Sequence, residues 1–157
     1  MLVGGVAANY YGRVRATNDI DIVMALEEPS TTKLLAALRK QGFQYHPEEI
    51  SMLANLSNRF AVADPSGLIR IDIWIPKTSY EKRAFQRRRW GKIDTLKVSL
   101  ISAEDLILFK LIAGRPHDIV DAQWVLKTQE KRLDKKHISF WTAALDLGKQ
   151  FKKLKKK

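Results

Sequence analysis

Asp19-Ile20-Asp21-Ile22-Val23, read together with Ile69-Arg70-Ile71-Asp72-Ile73-Trp74-Ile75, decides how this chain is understood. In an extended segment side chains alternate between faces, so Asp19 and Asp21 project one way and Ile20 and Ile22 the other. The second run repeats the arrangement, with Asp72 sharing a face with Arg70 and Trp74 while four isoleucines line the opposite face. Carboxylates crowded on one pleated face repel each other. Half-burying them is costly unless a cation neutralises the charge, and oxygen-only ligands select a hard ion such as Mg²⁺. If the two strands are neighbours, three carboxylates converge.

Working outward, the Gly4-Gly5 doublet falls between a predicted short strand, Leu2 to Gly4, and a predicted short helix, Val6 to Tyr11. The strand of Asp19 to Ala25 stops at Glu27-Glu28-Pro29. Ser30 or Thr31 then suits the cap of a helix carrying Leu34, Leu35 and Leu38 and ending at Gly42. Arg59 to Ala63 and Leu68 to Ile75 flank Asp64-Pro65-Ser66-Gly67, a set of turn residues that predicts a hairpin. Leu96 to Ile101 reads as a further strand. Ser102 with Asp105 three positions on opens a helix that stops at Gly114, and Pro116 opens another carrying Asp118, Asp121, Trp124 and Leu126. A last helix includes Ile138, Trp141, Ala144 and Leu145, while Asp94 and Asp134 suit turns or caps. Strands first and helices afterwards predict an α+β, or mixed α/β, domain with a helical C-terminal part.

The 157 residues, 45% of them apolar, are enough for one compact domain with a real core. Residues 1–101 are expected to form the core with the metal site. Residues 102–148 form a helical part packed on it within the same domain, and residues 149–157 a basic tail. The absence of cysteine excludes a disulfide framework and thiolate chemistry. With no long apolar run and no signal-peptide pattern, the expectation is a soluble, cytoplasmic chain without a membrane partner.

Lys and Arg number 28 against 17 Asp and Glu, a formal net charge of +11, which favours a polyanionic partner. The excess gathers at Lys82 to Arg89 and at the tail, where five of the last six residues are lysine. The tail reads either as a solvated, frayed end or as a nucleic-acid contact. The arginine run reads either as a solvated helix face or as a phosphate contact. Tyr10, Tyr11 and Trp74 fit a core better than a base-stacking platform. His46, His117 and His137 lack metal-ligand spacing, so no zinc site is assigned.

Leu2-Val3-Gly4-Gly5-Val6-Ala7-Ala8, followed by Gly12-Arg13-Val14-Arg15-Ala16-Thr17-Asn18-Asp19-Ile20-Asp21, resembles the nucleotidyltransferase superfamily of polymerase-beta-like fold. The resemblance is to the bacterial branch holding AbiEii-type toxins and related transferases. Glu104-Asp105-Leu106 through Lys110, with Gly114-Arg115-Pro116-His117-Asp118-Ile119-Val120-Asp121-Ala122, looks like that branch's helical motif. The likeness covers roughly Leu2 to Leu126. It implies a mixed sheet flanked by helices and a Mg²⁺-dependent transfer of a nucleoside monophosphate from an NTP to an acceptor hydroxyl. A tRNA or other nucleic-acid acceptor, and a toxin role with an antitoxin partner, go with it.

On that reading Asp19, Asp21 and Asp72 are the metal ligands and catalytic carboxylates, with Asp72 also handling the attacking hydroxyl. Gly4 and Gly5 bring backbone N–H groups to the triphosphate. Arg15 either contacts a phosphate or pairs an acid of the later helices, and Thr17 fixes its turn. By resemblance Lys110 points to the site as a phosphate ligand or an acid toward pyrophosphate. Asp118 and Asp121, three apart on one helix face, are expected to support the site by pairing Arg115 or Lys110. The sequence departs from the pattern at Gly5, where many relatives carry Ser. Met1 stands almost on the first strand, where relatives carry a preceding helix; a shortened start is expected to leave an exposed sheet edge or an incomplete acceptor pocket, and with it an uncertain activity. A non-catalytic nucleotide- or RNA-binding protein and a small-molecule transferase of antibiotic-modifying kind remain as alternatives.

Overall fold

The computed structural model describes residues 1–26, 28–45 and 58–154. In chain order these form α1 (Gly4–Tyr10), β1 (Asp19–Val23), α2 (Glu28–Lys40), β2 (Arg59–Ala63), β3 (Arg70–Trp74) and α3 (Ser79–Gln86). Then come β4 (Arg89–Ile93), β5 (Leu96–Leu100), α4 (Ala103–Ala113), α5 (Pro116–Gln129), a 3₁₀ turn (Glu130–Arg132), α6 (Lys135–Ala144) and α7 (Gly148–Leu154). His46, expected to be free of metal, lies outside the described residues.

β3 is the centre of a mixed three-stranded sheet, parallel to β1 on one side and antiparallel to β2 on the other. The β2–β3 turn forms as predicted, with Asp64 accepting from Ser66 and from the Ile69 N–H. β4 and β5 make a separate antiparallel hairpin. Residues 1–3 stitch the two together. Leu2 bridges Ile22 on one side and Leu100 on the other, the Leu2 N–H donating to Ser99 and the Val3 N–H to Asp21. The expected strand at Leu2 is thus a single residue that makes two bridges, since α1 already starts at Gly4. The slot beside β1 is filled by this backbone rather than left as the open edge that was expected.

Two apolar clusters form. On one face of the sheet Leu35 of α2 meets Phe60, Val62 and Ile73. The larger cluster surrounds α4, whose Leu106, Ile107 and Leu108 are all fully buried. A helix apolar all round needs cover on every side, and α4 receives it from α1, β5, α3, α5 and the last two helices. Its ends are fixed as the sequence predicts: Ser102 Oγ accepts from the Asp105 N–H, and Gly114 closes the helix in left-handed conformation, φ 67°. No helix among the described residues is long and apolar enough to cross a membrane.

Four elements differ from expectation. α2 begins at Glu28, ahead of Ser30, because proline at Pro29 suits a first turn, where its missing N–H costs nothing. α3 and β4 occupy the stretch read as an arginine run: Thr78 and Glu81 form a reciprocal capping box that starts α3, and Arg89-Trp90 enter β4 rather than a helix face. The tail is not frayed as far as Leu154, for α7 buries that side chain and packs Phe151 against the main core.

Candidate active site

The parallel register sets Asp21 directly beside Asp72, and Asp19 beside Arg70. Register partners share a face, about 5 Å apart across the ladder. The acidic face is therefore opposite the isoleucine face that α2 covers, and it looks toward α4 and α5.

Gly4 explains how Asp21 fits there. Its φ is +61°, and a Cβ on it would fall 1.8 Å from Asp21 Oδ2. No side chain fits between that backbone and the carboxylate. Gly5 is closed for another reason: a Cβ would stand 2.8 Å from Thr17 Oγ1 and 3.1 Å from an Arg15 nitrogen. Here Thr17 and Arg15 take the space that the expected serine of relatives would need. Thr17 itself donates to the Asp19 carbonyl at 3.2 Å, fixing the approach to β1.

Burial raises the Asp21 carboxyl above its ordinary range, and the charges of Asp72 and Asp19 push the same way, while Lys110 and Arg115 oppose them. Asp72 accepts from Arg70 at 3.1 and 3.2 Å, an ion pair whose arginine is more than half exposed.

Below the acidic face lies a buried ion-pair network. Lys110 Nζ is 2.8 Å from Asp118 Oδ1 and 3.0 Å from Asp121 Oδ2, and all three side chains are buried. Arg15 donates from Nε and an Nη to the two oxygens of Asp121 at 3.1 and 3.0 Å, and its remaining nitrogen reaches the Ala16 carbonyl. Arg115 donates to Asp118. Burial alone would raise both acids, but the bonds and charges from Arg115 and Lys110, and from Arg15 and Lys110, hold Asp118 and Asp121 below the ordinary carboxylate range. The bonds from Asp121 likewise raise the Arg15 guanidinium. Of the two readings of Arg15, the structure shows the ion pair to a later helix. Lys110 is corrected in the same way. It spends its ammonium on two aspartates rather than standing free for a phosphate, and reaches Asp21 only through its field.

Two further cations join the site. Arg115 makes the expected pair with Asp118 and, largely exposed, adds positive field at Asp21. Arg13 stands 3.6 Å from Asp121 and over the Trp124 ring. Tyr11 donates to the Ile101 carbonyl and behaves as a core residue, its hydroxyl pushed up to about 12 by burial. Trp74 packs on the main core with Arg59 over its ring.

The convergence of three carboxylates is corrected to two. Among the described residues no group of three His, Cys, Asp or Glu side chains is gathered closely enough to hold an ion. The donor chemistry of Asp21 and Asp72 nonetheless fits a hard divalent cation: two adjacent oxygen ligands, one of them held above its ordinary pKa by burial and like charge.

No protein-family profile matches the chain, and no curated protein matches it by sequence. Solved structures do match. One is the lincosamide antibiotic adenylyltransferase LnuA in its lincomycin-bound form, with a TM-score of 0.55 and 17% identity over 79% of this chain and 83% of that one. Another is an antigenic nucleotidyltransferase-like protein from Paracoccidioides brasiliensis, with a TM-score of 0.55 and 17% identity over 99% of this chain and 81% of that one. At such identity the likeness is one of fold, and the mixed α+β fold of this chain is nucleotidyltransferase-like.

Proposed function

We propose that the chain is a Mg²⁺-dependent nucleotidyltransferase whose centre is the Asp21–Asp72 pair. The register that sets these two carboxylates side by side, on a nucleotidyltransferase-like fold, carries the reading. Asp21 and Asp72 would hold Mg²⁺ between them, while Asp19, exposed on the same strand face, adds negative charge at Asp21 without joining them as a ligand. A bound Mg²⁺ supplies charge neutralisation for the triphosphate. Release of Arg70 from Asp72 frees that carboxylate to accept the proton of an acceptor hydroxyl. The hydroxyl oxygen then bonds to the α-phosphorus of the NTP, the α–β phosphoanhydride bond breaks, and pyrophosphate leaves. Gly4 keeps the backbone clear of Asp21, and Arg115 presents a guanidinium to the phosphates. Lys110, Arg15, Asp118 and Asp121 lock α4, α5 and the loop before β1 into one frame, so positioning rather than covalent chemistry provides the rate.

The net charge of +11 supports a macromolecular acceptor such as tRNA, and the AbiEii-type resemblance adds a toxin role with an antitoxin partner in the cytoplasm. The fold likeness to a lincosamide adenylyltransferase favours a second reading, in which a small hydroxylated molecule is the acceptor. A label-transfer assay separates them. Each α-labelled NTP is supplied with Mg²⁺ and either total RNA or a panel of small hydroxyl compounds. Transfer to one class is expected, with a loss of about 10²- to 10³-fold in Asp72→Asn, the scale of removing a main electrostatic group. Transfer that survives both Asp21→Asn and Asp72→Asn refutes it.

A further inference from the structure

The outer face of the β4–β5 hairpin has no role in the site, yet its composition is unusual for a solvated edge. Cross-strand pairing sets Trp90 against Ser99 and Lys92 against Lys97, and alternation puts these four on one face. The Trp90 indole is 65% exposed, and Lys97 Nζ stands 5.0 Å from its centre. Lys92 directly opposite Lys97 is a like-charge pair, an arrangement that weakens a hairpin unless an anion sits between the two. Ser99 Oγ, across the ladder from Trp90, is buried with no hydrogen-bond partner among the described residues. From Arg88 to Leu100 four cations face one acid, Asp94 in the turn. The other side of the hairpin is anchored: Gly91 lies so close to Tyr10 that a Cβ would meet the phenol oxygen at 2.6 Å. Tyr10 belongs to α1, the helix whose first residue abuts Asp21.

A flat, exposed aromatic ring beside a pair of lysines that have no acidic partner among the described residues matches a polymer that alternates π-faces with negative charges. Carboxylate-rich polypeptides offer the charge without the ring face. We propose that this face binds a segment of single-stranded nucleic acid, one base stacking on Trp90 while adjacent phosphates meet Lys92 and Lys97. That the bound strand is also the acceptor of nucleotidyl transfer rests on the function proposed above; the binding itself does not.

The test is fluorescence anisotropy of the full chain with labelled 12-mers of oligouridylate and oligothymidylate, beside labelled heparin as a polyanion without bases. Trp90→Ala is expected to weaken both oligonucleotides roughly tenfold, the effect of losing one stacked base, and to leave heparin unchanged. Lys92→Ala with Lys97→Ala is expected to weaken all three and to reduce the salt slope for the oligonucleotides by about 1.4, two single-strand phosphates' worth. Equal affinity for RNA and DNA assigns base and phosphate as the recognised chemistry. Unchanged oligonucleotide affinity in Trp90→Ala, an equal loss toward heparin, or binding of polyglutamate alone overturns the proposal. Mg²⁺–NTP binding by these hairpin variants, and oligonucleotide binding by Asp21→Asn, keep the two failures apart.

Discussion

Asp21 is held where its charge is unfavourable. Burial and the neighbouring Asp72 raise its folded-state pKa above the ordinary 3.8, so ionised Asp21 destabilises the fold at neutral pH. Below 3.8 the group is protonated in both folded and unfolded chains and the penalty disappears; it sets in as pH rises through the raised folded value. Asp21→Asn is therefore expected to melt higher than the parent at pH 7 and level with it below pH 3.8, as thermal melts across that range will show. A variant that melts lower at pH 7 would mean the carboxylate is a structural anchor. Asp118 and Asp121 work in the opposite sense. Their depressed values give stability that is present above 3.8 and lost as pH falls through the folded pKa. Gly4→Ala tests the same corner by sterics. A non-glycine φ of +61° and a Cβ on Asp21 Oδ2 predict a loss of about 2 kcal/mol or more, seen as a lower urea midpoint. Much of this was legible beforehand: alternation alone placed the acids on one face. The pairing of Asp19 with Arg70 was not, because strand register depends on contacts remote in sequence.

Elements with their own local signals were readable, and those without were not. α4 carried a Ser102 cap, an apolar run and a Gly114 stop, and it formed between those marks. α3 lies where the basic run reads as a solvated helix face or a phosphate contact, and its start is marked by Thr78 and Glu81 at capping-box spacing. β4 reads Arg-Trp-Gly-Lys-Ile, whose inward face offers little more than a glycine and an isoleucine, so no alternation shows. α7 was hidden by lysines, yet Leu147, Phe151 and Leu154 recur at helical spacing and pack on the main core. Leu154→Ala should accordingly cost about 2 kcal/mol, while Lys153→Ala, at an exposed position, stays within about 0.5 kcal/mol. Urea denaturation of the two variants checks this. A neutral Leu154→Ala would return the segment to a frayed end.

Across the whole molecule, the site depends on parts distant in sequence. Residues 1–3 join the acid-bearing sheet to the β4–β5 hairpin, and the Lys110, Asp118, Asp121 and Arg15 network ties α4 and α5 to the loop that feeds β1. The sequence offered Arg15 as a phosphate contact or an ion-pair partner of the later helices, and Lys110 as a phosphate ligand or a partner of Asp118 and Asp121. Their ion pairs make them the frame beneath the site, a distinction between holding a phosphate and holding a neighbour that residue type alone does not draw. What stands above that frame is the Asp21–Asp72 pair, and the account turns on whether it binds a nucleotide with its metal. Isothermal titration calorimetry with a non-hydrolysable NTP, with and without Mg²⁺, measures this in the parent, Asp21→Asn and Asp72→Asn chains. Mg²⁺-dependent binding by the parent is expected, with at least about a tenfold weakening, some 1.4 kcal/mol, in each folded variant. Equal binding by all three chains, or binding indifferent to Mg²⁺, would contradict it.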